Sequence, residues 1–267
     1  MIIEVMQLEA GRAANLSHKG GGHMAPPQHK SGFDIWKEMI DQAHNDGAWN
    51  SHDRIIMDAV NEINKHLTKT PGFKALDWQL IKAMTWVETG AQSSEWTKKP
   101  MQIGVANDPG LSSLLSGKEG GEVVLPPAWV KEIGLASVRT NPAHNIKAGV
   151  GYLMMRMAYF ENKSMIVTPL LPYEVIVKPG ESLESIARRE GSTVDILKEL
   201  NPDARKMIFP KQKLKVRKGS IQKVISGWRE ITTVTVAQRY NGGGDPKYRE
   251  KLDYALSAVR KIKISPP

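Results

Sequence analysis

The chain of 267 residues reads as a mainly α-helical domain interrupted by a small βααβ unit. Three observations predict this arrangement. Apolar residues recur at spacings of three and four from residue 33 to residue 90, and again after Asn141-Pro142, the period of one buried helix face. At Tyr173 the pattern changes abruptly to short β-rich runs around two brief helical faces, ending at Val216. Short motifs flank that stretch, Glu88-Thr89-Gly90 upstream and Tyr240-Asn241-Gly242-Gly243 downstream. The divisions are a flexible leader over 1–32, the first part of the helical domain over 33–168, the inserted module over 169–218 and the second part over 219–267.

The leader is rich in Gly, His and Pro, with Gly20-Gly21-Gly22 and Pro26-Pro27, the composition of a joint. Its histidines, His18, His23 and His29, are loosely spaced among glycines and read as solvent-facing linker residues, so no metal site is expected there. Ile35 and Met39 mark a first helix. Ile55, Ile56, Val60, Ile63 and Leu67 mark a second, which Ser51 or Asp53 can start and Pro71-Gly72 stops. A third runs from Asp77, an N-cap residue, through Leu80, Ile81, Met84 and Val87 to Gly90. Residues 91–127 hold many Gly, Ser, Pro and Lys and read as loop-rich, with a helical turn at Trp129 after Pro126-Pro127. The next helix carries Ile146, Val150, Leu153, Met154 and Met157 on one face.

In the insert, Tyr173-Glu174-Val175-Ile176-Val177 is a strand followed by a Pro179-Gly180 turn. Ser182 caps a helix bearing Leu183, Ile186 and Ala187, with Glu184 in its first turn. Ser192 and Asp195 form a capping pair for a second helix with Val194, Leu197 and Leu200, which Asn201-Pro202 ends. Leu214-Lys215-Val216 is the return strand. Pro169, Pro172, Lys218 and Gly219 give the module short, stiff connections. This unit resembles the LysM family through Tyr173-Glu174-Val175, Gly180-Glu181-Ser182-Leu183, Ile186-Ala187, Leu197, Asn201-Pro202 and Ile208-Phe209-Pro210. The resemblance implies a groove for N-acetylglucosamine polymers between the loops near Gly180, Glu181 and Ser182 and those from Asn201 and Pro202 to Phe209. Leu183, Ile186, Leu197 and Leu200 are core.

Glu88 follows Met84 by four residues and Ile81 by seven, which places it on their apolar face. It also closes its helix, where the dipole disfavours negative charge, and desolvation acts in the same direction. A carboxyl group that keeps its proton near neutral pH is what a general acid needs. Position alone leaves open an ordinary helix-end glutamate facing solvent. The motifs around it decide otherwise. Glu88-Thr89-Gly90, Pro100-Met101-Gln102-Ile103, the Asn145 to Leu153 helix and Tyr240-Asn241-Gly242-Gly243 occur in an order that resembles the lysozyme-like lytic transglycosylases. That resemblance covers residues 75–160 and 220–260 and implies a lysozyme-like fold interrupted by the LysM-like module.

The implied activity is cleavage of the β-1,4 bond between N-acetylmuramic acid and N-acetylglucosamine. Glu88 matches the sole catalytic carboxylate. Met101 and Gln102 match the element lining the sugar cleft, Gln102 as a hydrogen-bonding side chain. Asn145 and Tyr152 share a helix face with Gly149 between them, which admits another backbone closely. Tyr240 matches a tyrosine whose hydroxyl reaches the catalytic carboxyl or the substrate, and Asn241, also near the sugar, fixes its own turn. Thr89 stands where serine is usual, Pro100 where glycine-leucine precedes the methionine, and the chain from Glu88 to Met101 is short for the family. A one-glutamate mechanism gives 1,6-anhydro ends and needs no cofactor. A muramidase would need a second carboxylate, for which Glu95 and Asp108 are the candidates. A non-catalytic wall-binding protein is the rival of another class, disfavoured by the cost of burying Glu88.

Composition bounds the setting. The chain has no cysteine, so neither a disulfide framework nor a thiolate metal site is available. A formal charge of +9 implies an anionic partner. Bacterial wall fits, whereas nucleic acid does not, because the basic cluster at Lys206, Lys211, Lys213, Lys215, Arg217 and Lys218 has no base-stacking aromatics beside it. No apolar run suits a membrane span, and Met1-Ile2-Ile3-Glu4 does not open a signal peptide. The expected site of action is the wall or periplasm, reached as a phage lysin or a secreted antibacterial effector. An effector would imply secretion machinery and an immunity protein as further partners.

Overall fold

The structure, a computed structural model, describes residues 30–105, 108–167 and 171–262. The leader with its three histidines, the opening Met1-Ile2-Ile3-Glu4 and Pro169 lie outside the described residues. The protein is mostly helical, with a small strand-and-helix region in its second half.

Helix α1 (Gly32–Gln42) starts where the Ser31 hydroxyl accepts the Asp34 amide at 3.2 Å. Helix α2 (Asp53–Leu67) has His52 at its N-cap with no side-chain cap bond. Ser51, one of the two expected starters, instead donates to the Ala48 carbonyl at 2.7 Å. Helix α3 (Trp78–Glu88) begins as expected on Asp77, whose Oδ1 accepts the Gln79 amide at 2.9 Å. The stretch expected to be loop-rich contains α4 (Pro109–Ser116) and α5 (Gly121–Val124). Pro109 suits a first helical turn, where its missing N–H costs nothing. Around Trp129 a six-residue helix, α6 (Pro127–Glu132), forms where one turn was expected. Short α7 (Leu135–Thr140) leads into α8 (Pro142–Met157), which buries Ile146, Val150, Leu153, Met154 and Met157.

The chain then enters strand β1 (Ala158–Ile166), followed by β2 (Tyr173–Ile176), α9 (Leu183–Glu190), α10 (Val194–Leu200), a 3₁₀ turn at Pro202–Arg205, β3 (Lys213–Val216) and β4 (Gly219–Trp228). Helices α11 (Thr233–Arg239) and α12 (Tyr248–Lys261) follow.

Contacts divide the chain into two compact units. The first takes in the chain up to Lys69, Phe73–Met157 and the chain from Arg229 onward. Here α3 packs on α12 and α2 on α8, around Ile63, Leu67, Ile81, Met84, Leu153, Leu252 and Val259, all at most 1% exposed. A buried lysine fixes α3 from the side: Lys82 Nζ donates to Asn50 Oδ1 at 2.6 Å and to Asp53 Oδ2 at 2.7 Å.

The second unit is Thr70–Gly72 with Ala158–Trp228. Its β1 and β4 form an antiparallel ribbon in register from Ala158↔Trp228 to Ile166↔Gly219, with an irregularity at Tyr159/Phe160. Its β2 and β3 pair antiparallel from Tyr173↔Val216 to Ile176↔Lys213. Val177, Leu183, Ile186, Ala187, Leu197, Ala204, Leu214 and Val216 form one core beneath them. Gly219 sits where the ribbon meets α10; a Cβ there would lie 2.1 Å from Ile196 Cδ1. The borders expected at 169 and 218 thus lie at the far end of the ribbon, and the unit itself is bounded at Ala158 and Trp228. The expected Ser192 cap is also displaced. Thr193 Oγ1 accepts the Ile196 amide at 3.3 Å, while Ser192 Oγ donates to the Arg217 carbonyl at 2.6 Å and Asp195 accepts from Ser164.

Candidate functional site

Glu88 is the last residue of α3 and keeps part of its surface open to solvent. No basic residue occupies that final turn. Burial pushes its carboxyl up to about 8. The neighbouring charges of Asp108 and Asp245 push the same way, while a hydrogen bond from Tyr248 and the charge of Lys251 oppose it. Tyr248, itself buried at the start of α12, donates its hydroxyl to Glu88 Oε1 at 2.7 Å. Lys251 and Asp245 form a 2.7 Å ion pair on the same side. Glu88 is therefore a protonated acid at neutral pH, with its orientation fixed by one phenol.

The hydroxyl that touches Glu88 is that of Tyr248, whereas Tyr240 was expected to reach either that carboxyl or the substrate. Tyr240 Oη instead donates to the Met101 carbonyl at 2.9 Å, and its ring is 6% exposed. It shares the electrostatic surroundings of Glu88 without contacting its carboxyl. Two further expected sugar contacts are corrected by burial. Met101 and Asn145 are each 0% exposed and cannot meet a substrate. Asn145 acts as a clamp: its Oδ1 accepts the Met101 amide at 2.8 Å, and its Nδ2 donates to the Ile103 and Val138 carbonyls at 3.0 and 2.9 Å. Gly149, expected to admit another backbone, instead makes room for the Met101 side chain, since a Cβ there would lie 2.7 Å from Met101 Cβ. These contacts press residues 101–103 onto α8.

Gln102 caps that segment in the left-handed region, at φ 50°, a conformation that costs a non-glycine residue about 1–3 kcal/mol and gathers at functional sites. Its Nε2 donates to Thr89 Oγ1 at 3.0 Å, and the Thr89 hydroxyl faces the Lys99 and Pro100 carbonyls. The Gln102 Oε1 has no protein partner among the described residues and is free to accept from a ligand.

A cleft of about 200 Å³ lies alongside, walled by Tyr152, Tyr240, Asp108, Arg156, Arg239 and the Asn241–Gly244 turn. Glu88 is not on its wall but is electrostatically coupled to Asp108 and Tyr240, which are. Tyr152 meets Tyr240 edge to face, ring centres 5.6 Å apart. Asn241, 3% exposed, fixes its own turn: with the amide oriented to suit its neighbours, Oδ1 accepts from the Asp245 and Gly244 amides at 2.9 and 3.1 Å. It holds the wall and offers little surface to a sugar. Asp108 is occupied as the N-cap of α4, accepting the Gly104 amide at 3.0 Å and the Gly110 amide at 2.8 Å. Glu95 pairs with Lys99. Neither candidate second carboxylate is free. No group of three or more His, Cys, Asp or Glu residues able to hold a metal occurs among the described residues.

In the second unit, Gly180 turns the chain at φ 80°, a conformation glycine adopts without strain. Met207 and Phe209 are 63% and 59% exposed on the loop after the 3₁₀ turn. Residues 175–217 match the LysM domain family. The chain carries a LysM domain. Comparison of the chain with curated proteins and with solved structures finds no match.

Within the LysM domain, several residues expected to bind glycan are already engaged. Ser182 Oγ accepts the Ser185 amide and Ser185 Oγ accepts the Ser182 amide, a closed capping box. Asn201 ties α10 to β3, with Nδ2 to the Leu197 and Lys215 carbonyls at 2.8 and 2.7 Å and Oδ1 to the Lys215 amide at 2.8 Å. Glu181 accepts the Lys178 amide at 2.8 Å and pairs with Arg189 at 3.2 Å. Pro202 opens the 3₁₀ turn. These residues shape the two loops. Among the exposed residues of the second loop are the large apolar Met207 and Phe209, which sequence reasoning covered only as part of a loop.

Proposed function

We propose that this protein cleaves bacterial peptidoglycan as a lytic transglycosylase, with Glu88 as its single acid and base and the LysM domain as its glycan anchor. The observation that carries the reading is Glu88 itself: a partly open carboxyl, held protonated to about pH 8 by burial and gripped at 2.7 Å by Tyr248, in a chain that also contains a LysM domain. A pure binding protein gains nothing from such a group.

In the proposed reaction Glu88 gives its proton to the glycosidic oxygen as the bond from the muramic C1 breaks. The substrate N-acetyl group stabilises the anomeric centre. The ionised Glu88 then takes the proton of the muramic C6 hydroxyl as O6 bonds to C1, which regenerates the acid and closes a 1,6-anhydro ring without water. Capping by Asp108 and pairing of Glu95 support this one-carboxylate course over a muramidase mechanism. The lysozyme-like arrangement of the helical unit and action at the wall belong to the same proposal. Glu88→Gln keeps shape and removes the acid. Because general acid catalysis contributes about 10² to 10⁴-fold, clearing of purified sacculi should fall at least 100-fold by the same principle. A folded variant that clears walls near the parent rate would end the assignment.

A further inference from the structure

Two arginines line the cleft in the helical unit, Arg156 with only long contacts to its neighbours and Arg239 with a guanidinium that has none among the described residues. Arg156, one turn beyond Tyr152 on α8, reaches the Arg239 carbonyl through Nε at 3.4 Å and Glu119 through Nη1 at 3.5 Å, both at the long limit of a hydrogen bond. Arg239, at the end of α11, has an exposed guanidinium with no hydrogen bond or ion pair among the described residues. The one carboxylate on the cleft wall, Asp108, is consumed by two backbone amides. A wall that carries two guanidinium groups and no available carboxylate of its own favours an anionic ligand. A guanidinium's planar fork matches a carboxylate with two parallel hydrogen bonds.

Resting on the peptidoglycan reading above, we infer that Arg156 and Arg239 form a subsite for a carboxylate carried on the lactyl arm of the muramic unit. On peptide-bearing glycan the lactyl carboxyl is consumed in the amide to the stem peptide, so the anion is a stem-peptide carboxylate; where the peptide has been removed, the freed lactyl carboxylate offers the fork the same two oxygens. The subsite selects muramyl glycan over an uncharged N-acetylglucosamine polymer of the same backbone. The glycan rings pass Tyr152, and the arm points to the arginines.

The test compares turnover of soluble peptide-bearing glycan strands with that of the same strands after their carboxyls are converted to amides, for the full chain and for Arg239→Gln. Loss of a charge-assisted hydrogen bond should lower kcat/KM of the parent roughly 10-fold on the amidated strands, mainly through KM. Arg239→Gln should cleave both substrates alike, at the rate of the parent on amidated strands. Strands stripped of peptide expose the lactyl carboxylate: a parent that still prefers them over their amidated form takes that carboxylate too, and one that does not reads the peptide carboxylate alone. A parent indifferent to amidation, or an Arg239→Gln variant as sensitive as the parent, overturns the subsite and leaves the lytic reading standing. A parent that cleaves none of these strands overturns both.

Discussion

Burial and a single phenol set the chemistry of Glu88. Burial raises its carboxyl to about 8, so the donor form predominates at neutral pH and is lost as pH rises through that value. Wall clearing should therefore decline on an alkaline limb centred near pH 8. Tyr248 moves that limb. Its hydrogen bond favours the ionised carboxylate, so Tyr248→Phe should shift the limb to higher pH, and activity below it should fall about 10-fold as the acid loses its fixed orientation. A pH–rate profile of the two proteins checks both effects; an unmoved limb would show that Tyr248 does not act on Glu88. Glu88 was legible because its face and its place in the final turn follow from local spacing. Tyr248 was not, because its partner lies on another helix, distant in sequence. The available signal was the stripe Tyr248, Leu252, Ala255 and Val259, all buried, which marks a tyrosine opening an apolar helix face.

At the scale of elements, the segment 101–103 is held by α8 more than by its own sequence. Asn145 serves three backbone groups of that segment and of α7, and Gly149 leaves room for Met101. Asn145→Ala leaves those groups buried without partners, each at about 1–3 kcal/mol. Denaturant unfolding should show a loss of at least roughly 3 kcal/mol, the lower bound for three such groups. A loss below roughly 0.5 kcal/mol, the scale of a surface substitution, would mean that the clamp is not structural. The sequence marked Asn145 and Gly149 as functional without separating contact from support, since spacing reveals which residues share a face but not what covers it. The helix pattern, the Asp77 cap and the short strands at Tyr173 and Leu214 were readable for the complementary reason: caps and periodicity are local. The ribbon of β1 and β4 was invisible because each strand's partner is remote in the chain and neither strand alternates cleanly in burial.

At the scale of the molecule, one chain joins a proposed cutting unit to a LysM domain, and the ribbon shows where they can be separated. Val167 N–H still donates to the Lys218 carbonyl at 3.2 Å, so the strands remain paired at the point where the module begins. Replacing residues 168–217 by a two-residue Asn-Gly turn should close the ribbon as a hairpin. Sacculus binding and clearing at low enzyme concentration should then weaken, because the anchor raises local substrate concentration, while cleavage of short soluble strands should change little. A folded deletion that loses soluble-strand turnover would make the LysM domain part of the active site.

The central claim, one carboxylic acid making and breaking the bond without water, is read most directly from its product. Purified full chain should be incubated with sacculi and the released muropeptides weighed by mass spectrometry. The account predicts anhydro-muramic ends, lighter by one water (~18 Da) than reducing ends, because the C6 oxygen takes the place that water occupies in hydrolytic glycosidases. Reducing muramic ends, or no released glycan at all, would contradict it.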